Sequence, residues 1–353
     1  DWCNNGKPVE GIHTLVDGDT CTLNGIMVHV VSGTNLTLST VAGAAALATI
    51  DGEEGSRLFK VESSQLTLTD LILKRGRAYG AANSGAGIFI RPTSTIAPRI
   101  HLTRVTIQDC ACQHSGGAIF IDGTAANIRS VLVLEECTLS SNRAGYYGGA
   151  ISIGSGAVLE IMKGTTTILE KNTASYGGAI FLREAGIDVK GSETKLVVQD
   201  NEATATSGFG GGIMCSLGAK LNVNTGAKLY LLDNSAPVAG GGIYMQDTNN
   251  RGTQIIISSS AKMKVVKNEA SRGAGIYLQQ EESTLVVEGP NTSLFVEENT
   301  AEASSGAGIL AFLTASITVR DGALLYVSAN EALTMGGGLV LSQSAVMNII
   351  GDE

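Results

Sequence analysis

Charged side chains recur at one place in successive segments of this chain, just before a repeated asparagine. That position reads Ser141, Lys171, Asp200, Asp233, Lys267, Glu298 and Ala329. Asp200 and Asp233 are neighbours in the series, and Lys267 follows them. Adjacent carboxylates with a lysine are the groups that hold Ca²⁺ and abstract a proton from an acidic polysaccharide. A solvated charged edge explains the same residues more simply. Asp17-Gly18-Asp19 offers part of a Ca²⁺ loop but lacks the rest. His13, His29, His101 and His114 show no metal-ligand spacing, and no Cys-x-x-Cys pair suggests zinc. The expectation is a non-catalytic chain without a cofactor or metal. The alternative is a polysaccharide-active enzyme of the lyase or epimerase type, or a carbohydrate-binding module.

The elements that would position these groups come from a repeat. Gly116-Gly117-Ala118-Ile119 returns as Gly148-Gly149-Ala150-Ile151 and Gly177-Gly178-Ala179-Ile180. Looser copies begin at Gly85, Gly210, Gly240, Gly273, Gly306 and Gly336. The steps run from 29 to 33 residues, the period of one stacked supersecondary unit. Within 177–209, Ala179–Leu182, Ile187–Lys190 and Lys195–Gln199 are short runs with period-two alternation, punctuated by Gly and Asn. Three short strands per coil predict an all-β, right-handed parallel β-helix of about ten coils, roughly 50 Å long. Residues 1–25 are expected to form an N-terminal cap segment, and 26–353 the β-helix.

Two further series follow from the repeat. An aliphatic residue precedes Asn by three positions at Asn142, Asn172, Asn201, Asn234, Asn268, Asn299 and Asn330, with Cys110 in the equivalent place one coil earlier. Asparagines stacked at a coil corner form an amide ladder, and Asn tolerates the left-handed turn such a corner needs. The glycines are expected at a corner for the same reason. In the strand after each glycine motif, the middle residues should point outward: Phe89, Phe120, Ser152, Phe181, Met214, Tyr244, Tyr277, Leu310 and Val340. Stacked, they would make an apolar stripe, expected to dock a partner chain or a copy of the same chain.

Composition narrows the class. With 33 acidic against 24 basic residues, a net charge of −9 and no Lys/Arg run, nucleic acid is excluded as an expected partner. No apolar stretch of about 18 residues predicts a transmembrane helix. The start at Asp1 suggests a removed signal peptide and an oxidising compartment, hence a secreted or cell-surface protein. Cys3 and Cys21 are expected to form a disulfide there. Cys110 and Cys112 would be strained as a pair, and Cys137 and Cys215 read as core thiols. Asn35-Leu36-Thr37 and Asn291-Thr292-Ser293 are N-glycosylation acceptor motifs.

The Gly-Gly-Ala-Ile copies at Gly116, Gly148 and Gly177, alternating with the hydrophobic-x-x-Asn element, resemble the repeats of chlamydial polymorphic outer-membrane proteins. The resemblance covers about residues 58–345, with Leu, Val or Ile where that family has Phe. It implies a pectate-lyase-like right-handed β-helix that works at the cell surface in adhesion and host contact. The combined expectation is an extracellular structural or adhesive module. It would assemble with itself or a partner through the stripe, the rod ends or the turn loops, with carbohydrate as a further possible partner.

Overall fold

The computed structural model describes residues 9–351, apart from 81–82, 124–127, 248, 250, 281 and 304. No α-helix occurs among the described residues. The chain winds into a β-solenoid of about ten turns, and its strand pairings are parallel.

One coil shows how sequence produces the path. After the glycine corner, Ile180–Arg183 forms the first strand, Gly186–Lys190 the second and Lys195–Gln199 the third. A fourth piece, Glu202–Ala203, follows the corner asparagine. The first pieces of all coils stack into an 11-stranded glycine face, running from Val28–Val30 to Leu339–Ser342. The second and third pieces form two ladders of a 21-stranded front face. The fourth pieces form a nine-stranded corner ribbon.

Alternation decides which side chains enter the core. In Gly186–Lys190, Ile187 and Val189 are buried while Asp188 and Lys190 face out. Register then lines like with like: Leu159, Ile187, Leu221, Ile255, Leu285 and Ile317 are successive partners, and all are fully buried. Such aliphatic stacks fill the solenoid from end to end, each buried side chain contributing roughly 1.5–3 kcal/mol of apolar transfer. The front face begins inside the segment expected to be a cap. Gly11–Leu15 pairs with Asn35–Thr40, and Thr20–Thr22 with Ala48–Asp51.

Cys110, Cys112, Cys137 and Cys215 are free and buried. Burial pushes their thiols up to about 12, 12, 11 and 12, so they act as small apolar side chains. Cys21 is disulfide-bonded; Cys3, its expected partner, lies outside the described residues.

Candidate functional site

The glycine corner is set by two different demands. Gly177 sits at φ +63, and a Cβ there would stand 2.4 Å from the Ile180 carbonyl oxygen. Gly178 answers to close packing: a Cβ would lie 2.2 Å from the Gly211 oxygen and 2.6 Å from the Glu202 carbonyl carbon. The pair therefore turns the chain and lets the corner ribbon and the next coil approach backbone to backbone.

The asparagine corner is a continuous amide ladder. The Nδ2 group of Asn142 donates to Oδ1 of Asn172 at 3.0 Å, and the step repeats at 172–201, 201–234, 234–268, 268–299 and 299–330. Each Oδ1 also accepts the backbone N–H of the preceding ladder residue, as Asn201 Oδ1 does from Asn172 at 2.9 Å. A second Nδ2 hydrogen reaches back one coil to a carbonyl, as Asn172 does to Leu139 O at 2.9 Å. Each interior rung thus uses both donors and both acceptor positions of its amide. Asn142 through Asn299 are buried at 1% exposure or less. Cys110 occupies the next slot, giving only its N–H to Asn142 Oδ1, and the ladder of side chains ends there.

One detail of this corner departs from expectation. The left-handed residue is not the asparagine but the one before it: Ser141, Lys171, Asp200, Asp233, Lys267, Glu298 and Ala329 all lie between φ 50 and 55. That residue turns the chain and points outward, which leaves the asparagine extended and aimed inward. Most of the charged series is thus explained by solvation at a turn. Asp200 and Asp233 are exposed, and Lys267 pairs with Glu298 at 3.7 Å. Sequence reading also missed the ribbon beyond the corner. Its signal is an alanine two residues after each of the seven ladder asparagines; Ala144, Ala174, Ala203, Ala236, Ala270 and Ala301 are buried, and Ala332 is half-buried.

The apolar stripe points outward from the main core, but it is not exposed, which corrects the expectation of an open docking face. Phe89, Phe181, Met214, Tyr244, Tyr277 and Leu310 keep 8% exposure or less, and Phe120 and Val340 are half-buried. In three successive coils the cover comes from an aromatic residue just before the first glycine. Tyr147 packs on Phe181 with ring centroids 4.4 Å apart, and Phe209 on Tyr244 at 4.5 Å. Tyr147, Tyr176 and Phe209 also stack on one another at 5.7 and 6.1 Å, and Tyr244 on Tyr277 at 5.3 Å. A second hydrophobic cluster results, outside the solenoid wall. Outside that cluster, the guanidinium of Arg57 lies 4.6 Å from the Phe89 ring and donates to the carbonyls of Gly85 and Ser84. The sequence signal for the cover was an aromatic before the glycine in three consecutive coils.

The stack has a gap. Phe89 and Phe120 stack at 5.5 Å, and the chain of rings resumes at Tyr147 and Phe181. Between them the stripe position is Ser152, paired in register with Phe120 on one side and Phe181 on the other. A cleft of about 490 Å³ opens there, with Ser152 on its floor and Phe120, Tyr147 and Phe181 as walls. Polar groups ring it: His114, Asp122, Ser155, Arg183 and Glu184. Asp122 accepts from Arg91 Nε at 2.8 Å. Glu184 accepts from Ser155 Oγ at 2.8 Å and from Arg251.

The remaining candidates are dispersed. Asp17 accepts the N–H groups of Ala45 and Ala46 at 2.9 and 2.7 Å, and these hold its carboxyl below the usual range. His13 hydrogen-bonds Glu10 O, His29 pairs with Glu62, His101 with Glu135, and His114 hydrogen-bonds Ser115. No group of three metal-ligating side chains forms among the described residues. Asn35 and Asn291 are exposed, with Thr292 buried behind the second. No helix among the described residues is long and apolar enough to cross a membrane.

No protein-family model matches the chain, and no curated protein matches it. The family suggested by the repeat therefore stands as a resemblance. Among solved structures, the crystal structure of a TibC-catalyzed hyper-glycosylated TibA fragment is similar over 95% of this chain and 100% of that one. The identity is 15% and the TM-score 0.19.

Proposed function

We propose that this chain is a non-catalytic, extracellular structural or adhesive β-helix module. The supporting observation is how its wall is reinforced on two sides. An amide ladder ties successive coils together from Asn142 to Asn330. A second hydrophobic cluster packs outside the glycine face and links Phe181, Met214, Tyr244, Tyr277 and Leu310 across five coils. Coils held to their neighbours in both ways make a stiff rod, which is the mechanical property a structural or adhesive module needs.

The covered stripe stiffens the sides of the rod. The disulfide at Cys21 supports an oxidising compartment, and so a secreted or surface location. Negative-stain imaging tests the reading. Straight rods of one length, unchanged in shape across the grid, are expected. Bent or collapsed particles would contradict it.

A further inference from the structure

We infer that the cleft at Ser152 is a binding site for an acidic saccharide, a pyranose bearing a carboxylate. The argument starts from what is missing. Every other outward position from Phe89 to Val340 carries a large apolar side chain, and Ser152 alone is small and polar. Phe120 and Phe181 stand two coils apart, about 9–10 Å by strand spacing. That leaves one ring's place vacant in a stack of rings. A pyranose fits such a vacancy because its axial C–H groups make an apolar face for an aromatic wall, while its hydroxyls stay at the rim. The volume of about 490 Å³ lies within the range of roughly 300–1,000 Å³ of small-ligand clefts.

Charge selects the sugar. Both carboxylates at the rim already have an arginine: Asp122 has Arg91, and Glu184 has Arg251. Arg183 lines the same cleft, is exposed, and makes no ion pair among the described residues. The balance of these five groups is one positive charge, on a chain whose net charge is −9. A guanidinium with an open fork is the side chain suited to bidentate contact with a carboxylate. Ser155 and His114 provide hydrogen-bonding groups at the rim for ring hydroxyls.

The test is a calorimetric titration of the whole chain with trigalacturonate, alongside its methyl ester and adenosine monophosphate. Binding of trigalacturonate at submillimolar concentration is expected, with the ester at least tenfold weaker. Arg183→Ala should weaken trigalacturonate at least tenfold, since the side chain is exposed and its removal leaves the fold alone. Ser152→Phe should fill the cleft, continue the stack and abolish binding. If that variant does not fold, Arg183→Ala remains decisive. No binding of trigalacturonate, equal binding of the ester, or an unchanged affinity in Arg183→Ala would overturn the inference. Tighter binding of adenosine monophosphate than of trigalacturonate would overturn the assignment to a saccharide.

Discussion

The asparagine corner and the glycine-face stripe are built by the same repeat, yet they use it in opposite ways. At the corner, one residue type fills seven successive slots, and each interior side chain bonds both neighbours. At the stripe, Phe, Met, Tyr, Leu and Val interchange, and one slot is a serine. The difference teaches what each can carry. A hydrogen-bonded ladder has fixed geometry, so any other residue leaves buried partners unsatisfied. An apolar stack asks only for volume, which other residues can supply or leave out. Variation is therefore admitted at the stripe, and a cleft can form there at little cost to the coil.

Breaking the ladder should cost most. Asn234→Ala strips the acceptor from both the N–H and Nδ2 of Asn201, and the donor from Val198 O. With unsatisfied buried groups costing about 1–3 kcal/mol each, a loss of about 3 kcal/mol or more is expected in chemical denaturation. Because neighbouring coils stabilise one another, the transition should also broaden. Phe181→Ala empties one stripe slot that is already flanked by Ser152 and should cost about 2–3 kcal/mol, less than a fully enclosed Phe. If the stripe variant lost more than the ladder variant, the contrast between the two would be reversed.

Acid sharpens the comparison, because neither the ladder nor the stripe titrates near pH 4. The N-terminal coils hold their corner differently. Asp51, buried, accepts from Arg75 Nε and Nη2 at 2.9 and 2.5 Å, with Lys74 at 3.4 Å. Burial pushes its carboxyl up, but the bonds from Arg75 and the Glu53 N–H, with the charges of Arg75 and Lys74, hold it below the ordinary value on balance. A lowered carboxyl stabilises the fold above its unfolded value near pH 3.9, and that stability is lost as pH falls through the lower folded value. Asp51→Asn should cost about 2 kcal/mol at neutral pH and flatten the decline below about pH 4. Melting curves of both proteins between pH 7 and pH 2 check this. The smallest effect is expected at the outward turn. Lys171 has φ 54, and Lys171→Gly should relieve that conformation with a change of less than about 1 kcal/mol, read as a small rise in melting temperature.

Much of the architecture was legible because its signals are local and periodic. Asn142 to Asn330 announced the ladder by spacing, and Ile187 and Val189 announced their inward direction by alternation. Residue type alone places the left-handed residue one position late, because Asn favours that conformation while the need to aim its amide inward decides the matter. The burial of the stripe was not legible from the stripe itself. Its cover, Tyr147 over Phe181 and Phe209 over Tyr244, lies about one coil away in sequence, and only the three-dimensional stack brings the two together. Ser152 was visible as the small member of its row. That it opens a cleft depends on Tyr147 and Phe181, and that the two carboxylates lining it are paired depends on Arg91 and Arg251, which arrive from other coils.

The contrast between ladder and stripe is tested most directly by chemical denaturation of Asn234→Ala beside Phe181→Ala in the same chain. The account predicts the larger loss of stability, and the broader transition, for Asn234→Ala, whose amide bonds both neighbouring coils. A larger loss for Phe181→Ala would contradict it.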